Sequence, residues 1–173
     1  KVLDGEGWFD SGDLGQLLPD GSLLLTGRAK DTIVLSSGEN IEPGPLEEAL
    51  LESPLVEQVM LVGQDRKQLG ALLVPRSEAL AAYAAGEGLP APVAAPDHAA
   101  PTQAAPQADP ALLRALTRHF NRLLADRPGS RPDERLAGVA LVAGFSIENG
   151  LLTQTLKQRR DRIAARDADR IAA

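Results

Sequence analysis

The sequence predicts an α+β chain in which an N-terminal β-hairpin precedes a small mixed β-sheet with flanking helices. An Asp-Gly pair set between two apolar stretches predicts the hairpin, and a strand–helix–strand–strand succession over residues 32–75 predicts the sheet. The third observation is size: 173 residues, 43% of them hydrophobic, suffice for one modest core or two small ones.

Each element has a local reason. In "GQLLPDGSLLLTGR" the pair Asp20-Gly21 suits a two-residue turn that needs φ > 0 at both positions, which gives a hairpin over about 14–26. "TIVL" is a β-branched strand. "PGPLEEALLESP" puts Pro45 near a helix start, Leu46, Leu50 and Leu51 on one face, and Pro54 just past the end. "VEQVMLVG" and "LGALLVP" read as strands joined by the polar turn "QDRKQ". A helix starts near residue 77. Residues 87–109 are then dominated by Ala and Pro, bury too little to offset their ordering entropy, and predict a flexible insertion. "PALLRALTRHFNRLLADRP" carries Leu112, Leu113, Leu116, Phe120, Leu123 and Leu124 at helical spacing, and "LAGVALVAGF" is a further strand. The last segment turns at Asn149-Gly150 and enters a helix whose Arg and Asp residues read as a solvated face.

Composition excludes several functions. Without cysteine there is neither a disulfide framework nor a thiolate metal site, and two histidines, His98 and His119, do not make a His-rich one; no metal ligands are expected. His119, alone on its helix, reads as structural. A net charge of -6 and a pI near 4.9 argue against a nucleic-acid partner. No apolar run has the length of a membrane span, and a cytoplasmic setting is expected. "KVLDGEGWFD" has no initiator Met and no signal-peptide pattern, so the chain is expected to be a piece of a longer one.

Three segments carry more than architecture. "GWFDSGDLG" (7–15), "GRAKDTIVLSSGENIEP" (27–43) and "NGLLTQTLKQRR" (149–160), in this order and spacing, resemble successive signature segments of the AMP-forming acyl-CoA synthetases, relatives of peptide-synthetase adenylation domains and firefly luciferase. The "SSGENIEP" loop and the "LTxTLK" ending are most similar to long-chain fatty acid–CoA ligases. The resemblance covers nearly all of the chain except the Ala/Pro insertion, but only the C-terminal part of such an enzyme. It implies that residues 1–29 end the large N-terminal domain and that residues 30–173 form its mobile C-terminal lid.

The implied reaction joins a fatty carboxylate to the α-phosphate of ATP, releasing pyrophosphate, after which the thiol of CoA displaces AMP. By the resemblance, Asp13 accepts hydrogen bonds from the ribose hydroxyls, Arg28 holds the nucleotide with its planar fork of donors, and Lys30 is the hinge of the lid. Lys157 would be the catalytic cation, offsetting charge at the carboxylate and α-phosphate oxygens during adenylation, and Ser36, Ser37 and Gly38 would line the pantetheine channel. Mg2+ would be bound mainly by the N-terminal domain, on which the lid packs and through which a peripheral membrane contact could be made. Taken singly these residues have plainer readings: a turn Asp, a solvated Arg, one more cation on a charged helix. Their conjunction favours the nucleotide reading. Gln154 stands where these ligases often carry Pro, which would loosen the loop holding Lys157, and Asp167 stands where an aromatic is common, which would disturb helix packing. Two alternatives remain open: an acyl-AMP ligase or adenylation domain that loads a carrier protein, and a non-catalytic βαββ interaction module.

Because the phosphate loop and acyl pocket belong to the N-terminal domain, the 173-residue chain alone is expected to release no pyrophosphate from oleate and ATP. A coupled pyrophosphate assay checks this.

Overall fold

The computed structural model describes residues 3–93 and 105–172. Strands β1 (Asp13–Leu17) and β2 (Leu23–Arg28) form an antiparallel hairpin with Asp13 opposite Arg28 and Leu17 opposite Leu23. Its turn differs from the expected two-residue form. Leu18 N–H donates to Ser22 C=O at 2.8 Å and Gly21 N–H donates to Leu18 C=O at 2.9 Å, so three residues, Pro19-Asp20-Gly21, make the loop. Gly21 has φ +85° while Asp20 stays at negative φ. Proline at the first loop position favours the turn that leaves only the last residue left-handed, and Asp20 Oδ1 accepts from both Ser22 N–H and Ser22 Oγ–H.

Two short strands follow, β3 (Ile33–Val34) and β4 (Asn40–Ile41), paired Ile33 to Ile41. "TIVL" is thus a strand only at its centre, because Leu35 turns back to pair with Glu39 across the intervening loop, its N–H 2.9 Å from Glu39 C=O. Helix α1 (Pro43–Leu51) buries Leu46 and Leu50. Leu51 is 43% exposed: it lies about 100° round the helix from Leu50 and leaves the buried face.

The main sheet has β5 (Val56–Val62), β6 (Leu69–Pro75) and β7 (Leu136–Leu141) in the order β5-β6-β7. The β5–β6 pair is antiparallel and β6–β7 is parallel, so the sheet is mixed, as the sequence predicts. The chain between β6 and β7 includes α2 (Ser77–Gly86) and α3 (Pro110–Ala125). Both sheet faces are buried. Val59, Leu61, Leu69, Ala71, Leu73 and Leu141 meet α1, α2 and α3, while Met60, Leu72 and Val74 meet Val142, Phe145, Leu151 and Ile163 on the other side. This is why β5 and β6 read as nearly unbroken apolar runs rather than alternating ones. Ile163 belongs to α4 (Arg160–Arg166), which is followed by α5 (Ala168–Ala172).

His119 lies on α3 between the Tyr83 and Phe120 rings, with Nε2 3.3 Å from Ser53 Oγ. Burial, aided by Arg122, pushes its imidazole below the usual value, consistent with a neutral packing residue.

The central part of the Ala/Pro segment, 94–104, lies outside the described residues. At its two ends the expectation of a flexible insertion gives way to order. Helix α2 closes with Gly88 at φ +67°, Gly88 N–H on Ala85 C=O and Leu89 N–H on Ala84 C=O, the paired bonds of a Schellman cap. Leu89 and Ala108 pack on the core, and Val93 and Gln107 exchange backbone hydrogen bonds of 2.8 and 3.1 Å.

Gly88→Ala should therefore lower stability by about 1–2 kcal/mol, the cost of a left-handed non-glycine residue. Gly86→Ala, two residues earlier in the helix and with open space at its Cβ, should be neutral or stabilising. Urea unfolding of both variants checks the contrast.

Candidate functional site

At the open end of the hairpin, the cross-strand pairing brings two sequence-predicted residues together. Arg28 Nε donates to Asp13 Oδ1 at 3.2 Å, with side chains 53% and 39% exposed. An ion pair this open contributes little to folding, about 0–1 kcal/mol. It does hold a carboxylate beside a guanidinium that makes no other side-chain hydrogen bond among the described residues. The approach to Asp13 is ordered locally: Gly12 N–H donates to Asp10 Oδ1, Asp13 N–H to Ser11 Oγ, and Ala29 N–H to Gly12 C=O.

Lys30 lies exposed in the short link between β2 and β3, where Asp31 and Thr32 N–H both donate to Arg28 C=O. The link is bridged at its base by Glu42, whose Oε1 accepts from Thr32 Oγ at 2.6 Å and whose Oε2 presses against Gly27. A Cβ at Gly27 would crowd that oxygen, the movable end of the Glu42 side chain, so a side chain there would have to displace the Glu42 carboxylate.

Ser36, Ser37 and Gly38 form an exposed loop, with Gly38 at φ +89° and its N–H on Leu35 C=O. Ser36 N–H donates to Arg66 C=O and Asp65 N–H to Val34 C=O, so the loop is docked on the β5–β6 turn.

Lys157 sits at the exposed end of a tight turn. Thr153 N–H donates to Lys157 C=O at 2.8 Å, Lys157 N–H donates to Thr153 Oγ at 3.0 Å, and Leu156 takes φ +60°. The expected loosening by Gln154 is not seen, because the two threonines and the backbone close the turn without a proline, with Thr153 and Thr155 hydroxyls 3.0 Å apart. No hydrogen bond or ion pair among the described residues joins Lys157 to Asp13, Arg28 or the Ser36–Gly38 loop.

Two readings of the C-terminal helix are corrected. Its arginines do not form a simple solvated face: Arg160 pairs with Glu47 at 2.8 Å and donates to Leu61 C=O, while Arg166 and Arg170 donate to Ala143 and Leu141 C=O. Asp167 does not disturb packing either, since Arg166 Nη2 reaches its Oδ2 at 2.7 Å and it supplies the break between α4 and α5. Arg160 and Gln158 escape sequence reasoning because their backbone partners on β5 lie 99 residues away, and Glu47 because its ion-pair partner Arg160 lies 113 residues away. Burial pushes the Glu47 carboxyl above its usual value, against the pull of Arg160.

No three His, Cys, Asp or Glu side chains converge as a metal site among the described residues, and no helix there is long and apolar enough to cross a membrane. A groove of about 800 Å³ lined by parts of β6, β7 and α5 contains none of the sequence-predicted site residues.

Residues 30–90 match the family description of the AMP-binding enzyme C-terminal domain. Over those residues the chain carries this C-terminal domain, and its fold matches the C-terminal domain of adenylate-forming enzymes. It is similar to a chloroplastic long-chain-fatty-acid–[acyl-carrier-protein] ligase of Arabidopsis thaliana, at 34% identity over 99% of this chain and 22% of that protein. A long-chain-fatty-acid–CoA ligase of Mycobacterium tuberculosis is 32% identical over 97% of this chain and 26% of its own length. Among solved structures, the A domain of carboxylic acid reductase from Segniliparus rugosus, in complex with AMP and a co-purified carboxylic acid, superposes with a TM-score of 0.76 at 26% identity. That match covers 99% of this chain and 24% of the reductase chain. The chain thus spans about a quarter of the length of each of these relatives.

A raised Glu47 pKa means that folding favours its protonated form. The resulting stability is present below the unfolded value of 4.5 and is lost as pH rises through the folded value. Glu47→Gln, which keeps an acceptor for Leu61 N–H and Arg160, has no such loss, so its stability should gain on that of the parent as pH rises above about 4.5. Paired urea titrations between pH 4 and 8 check the sign.

Proposed function

We propose that the chain is the C-terminal part of a ligase that activates a fatty carboxylate with Mg-ATP to acyl-AMP and passes the acyl group to the thiol of CoA. The observation that carries this reading is the Asp13–Arg28 pair, held side by side and open to a ligand at the end of a hairpin. A carboxylate can accept from both ribose hydroxyls while the neighbouring guanidinium donates to the nucleotide. In this reading residues 1–29 end the N-terminal domain and residues 30–173 are the lid. Trp8, Phe9, Leu17, Leu23 and Leu25, each more than 60% exposed, would then be covered by the remainder of that domain.

Lys157 supplies the positive charge at the reacting oxygens of the first step. The carboxylate oxygen attacks the α-phosphorus, the bond to the pyrophosphate oxygen breaks, and a cation near both stabilises the charge shared between them. Lys30 then swings the lid, and the small side chains of Ser36, Ser37 and Gly38 leave room for pantetheine as the thiol attacks the acyl carbonyl and AMP departs. A carrier-protein thiol is the second reading, favoured by the Arabidopsis relative, whose name gives acyl-carrier-protein as acceptor.

In the full-length enzyme, Lys157→Ala should slow adenylation about a hundredfold, roughly 3 kcal/mol, and spare transfer from supplied acyl-AMP. Pyrophosphate exchange and thioester formation, measured separately with CoA and with acyl carrier protein, check both the step and the acceptor. Lys30→Pro should leave adenylation running and sharply reduce transfer, because proline fixes φ near −65° at the hinge, whereas Lys30→Ala should do far less. Thermal melts of both variants separate that outcome from misfolding.

A further inference from the structure

The outer edge of β5 is occupied by side chains rather than by a strand. In the order β5-β6-β7 this edge has no strand partner among the described residues. Gln158 Nε2 donates to Val59 C=O at 2.8 Å, and Arg160 Nη2 donates to Leu61 C=O at 2.7 Å. Residues two apart on one segment thus meet carbonyls two apart on the strand, as a fourth strand would. Glu47 Oε1 completes the arrangement, accepting from Leu61 N–H at 2.7 Å and from Arg160 Nη1 at 2.8 Å.

These contacts begin one residue after Lys157. Leu152 pairs with Gln158 and Arg159 N–H donates to Leu151 C=O, so the strand edge holds the base of the turn whose tip is Thr153–Lys157. Leu151 and Ile163, buried in the second core, fix the segment on either side. The Arg160 and Glu47 side chains are only 19% and 15% exposed. A pair so withdrawn from water roughly breaks even as a stabilising contact, so stability alone is a weak reason for it. What it supplies is registration: the three side chains fix where along β5 the turn is anchored, and so where the flexible lysine side chain starts.

We infer that Arg160, Gln158 and Glu47 are positioning residues that anchor the Lys157 turn to the free edge of β5, an assignment that rests on the proposed role of Lys157. They touch no substrate and act through the orientation of the turn.

Two variants test this. Arg160→Lys keeps the charge beside Glu47 but loses the fork that also reaches Leu61 C=O, and Gln158→Leu removes the Val59 contact without leaving a charge unpaired. In the 173-residue chain, each should speed amide exchange at Thr153, Leu156 and Lys157 at least tenfold while Leu72 and Leu73 of β6 stay protected. In the full-length enzyme, each should lower the adenylation kcat about tenfold with the KM for ATP within twofold, and leave transfer from supplied acyl-AMP unchanged. In a Lys157→Ala background neither should cost anything further, because a residue acting only through Lys157 has nothing left to position. Unchanged exchange in the turn, or an equal loss with and without Lys157, would overturn the anchoring role. A Lys157→Ala enzyme that adenylates at the parent rate would instead remove the catalytic assignment itself, and the exchange data would still decide whether the edge contacts order the turn.

Discussion

A three-stranded sheet buried on both faces constrains the rest of this molecule. With α1, α2 and α3 on one side and the Phe145–Ile163 cluster on the other, both faces are largely covered. Side chains with chemistry to offer must stand at strand ends, on loops and along the edges. That is where the Ser36–Gly38 loop, the Lys157 turn and the Asp13–Arg28 pair are found. The central sheet acts as a rigid mount whose apolar interior fixes the spacing of polar groups around its rim.

The rim is stiffened by hydrogen bonds from side chain to backbone rather than by longer strands. Glu47, Gln158 and Arg160 satisfy β5, Gln58 bonds both the N–H and C=O of Phe145, and Asn121 does the same at Leu136. Each of these polar groups would cost more to bury unpaired than it returns when paired. Their joint effect is to define one arrangement of loops about the core. The hairpin differs: its described contacts with the remainder concentrate at Gly27, Thr32 and Glu42, a narrow join for a unit with so much exposed apolar surface.

Much of this was legible in the sequence, because the signals are local. The apolar runs of β5 and β6, the heptad-like leucines of α3 and the prolines at helix starts depend on neighbours within a turn or two. The Asp13–Arg28 pairing was also within reach, since a correctly placed hairpin sets the two residues opposite each other. What could not be read were contacts between distant segments. Arg160 and Arg166 look like solvated helix charges until the strand edge and the Gly144 loop are known to lie beneath them. Asp20-Gly21 misled for a subtler reason: Pro19, one residue earlier, shifts the turn to a three-residue form.

The Val93–Gln107 pair also bears on how the chain tolerates change in length. With Leu89 and Ala108 seated on the core, those two backbones meet at a fixed place whatever length of chain joins them. The remaining cost is that of closing a loop, which rises only by about 0.6 kcal/mol for each doubling of its length. As far as loop closure is concerned, a change of length between these two residues therefore costs little. The position can drift in length over evolution, or accept a grafted peptide, with little effect on the sheet beneath it.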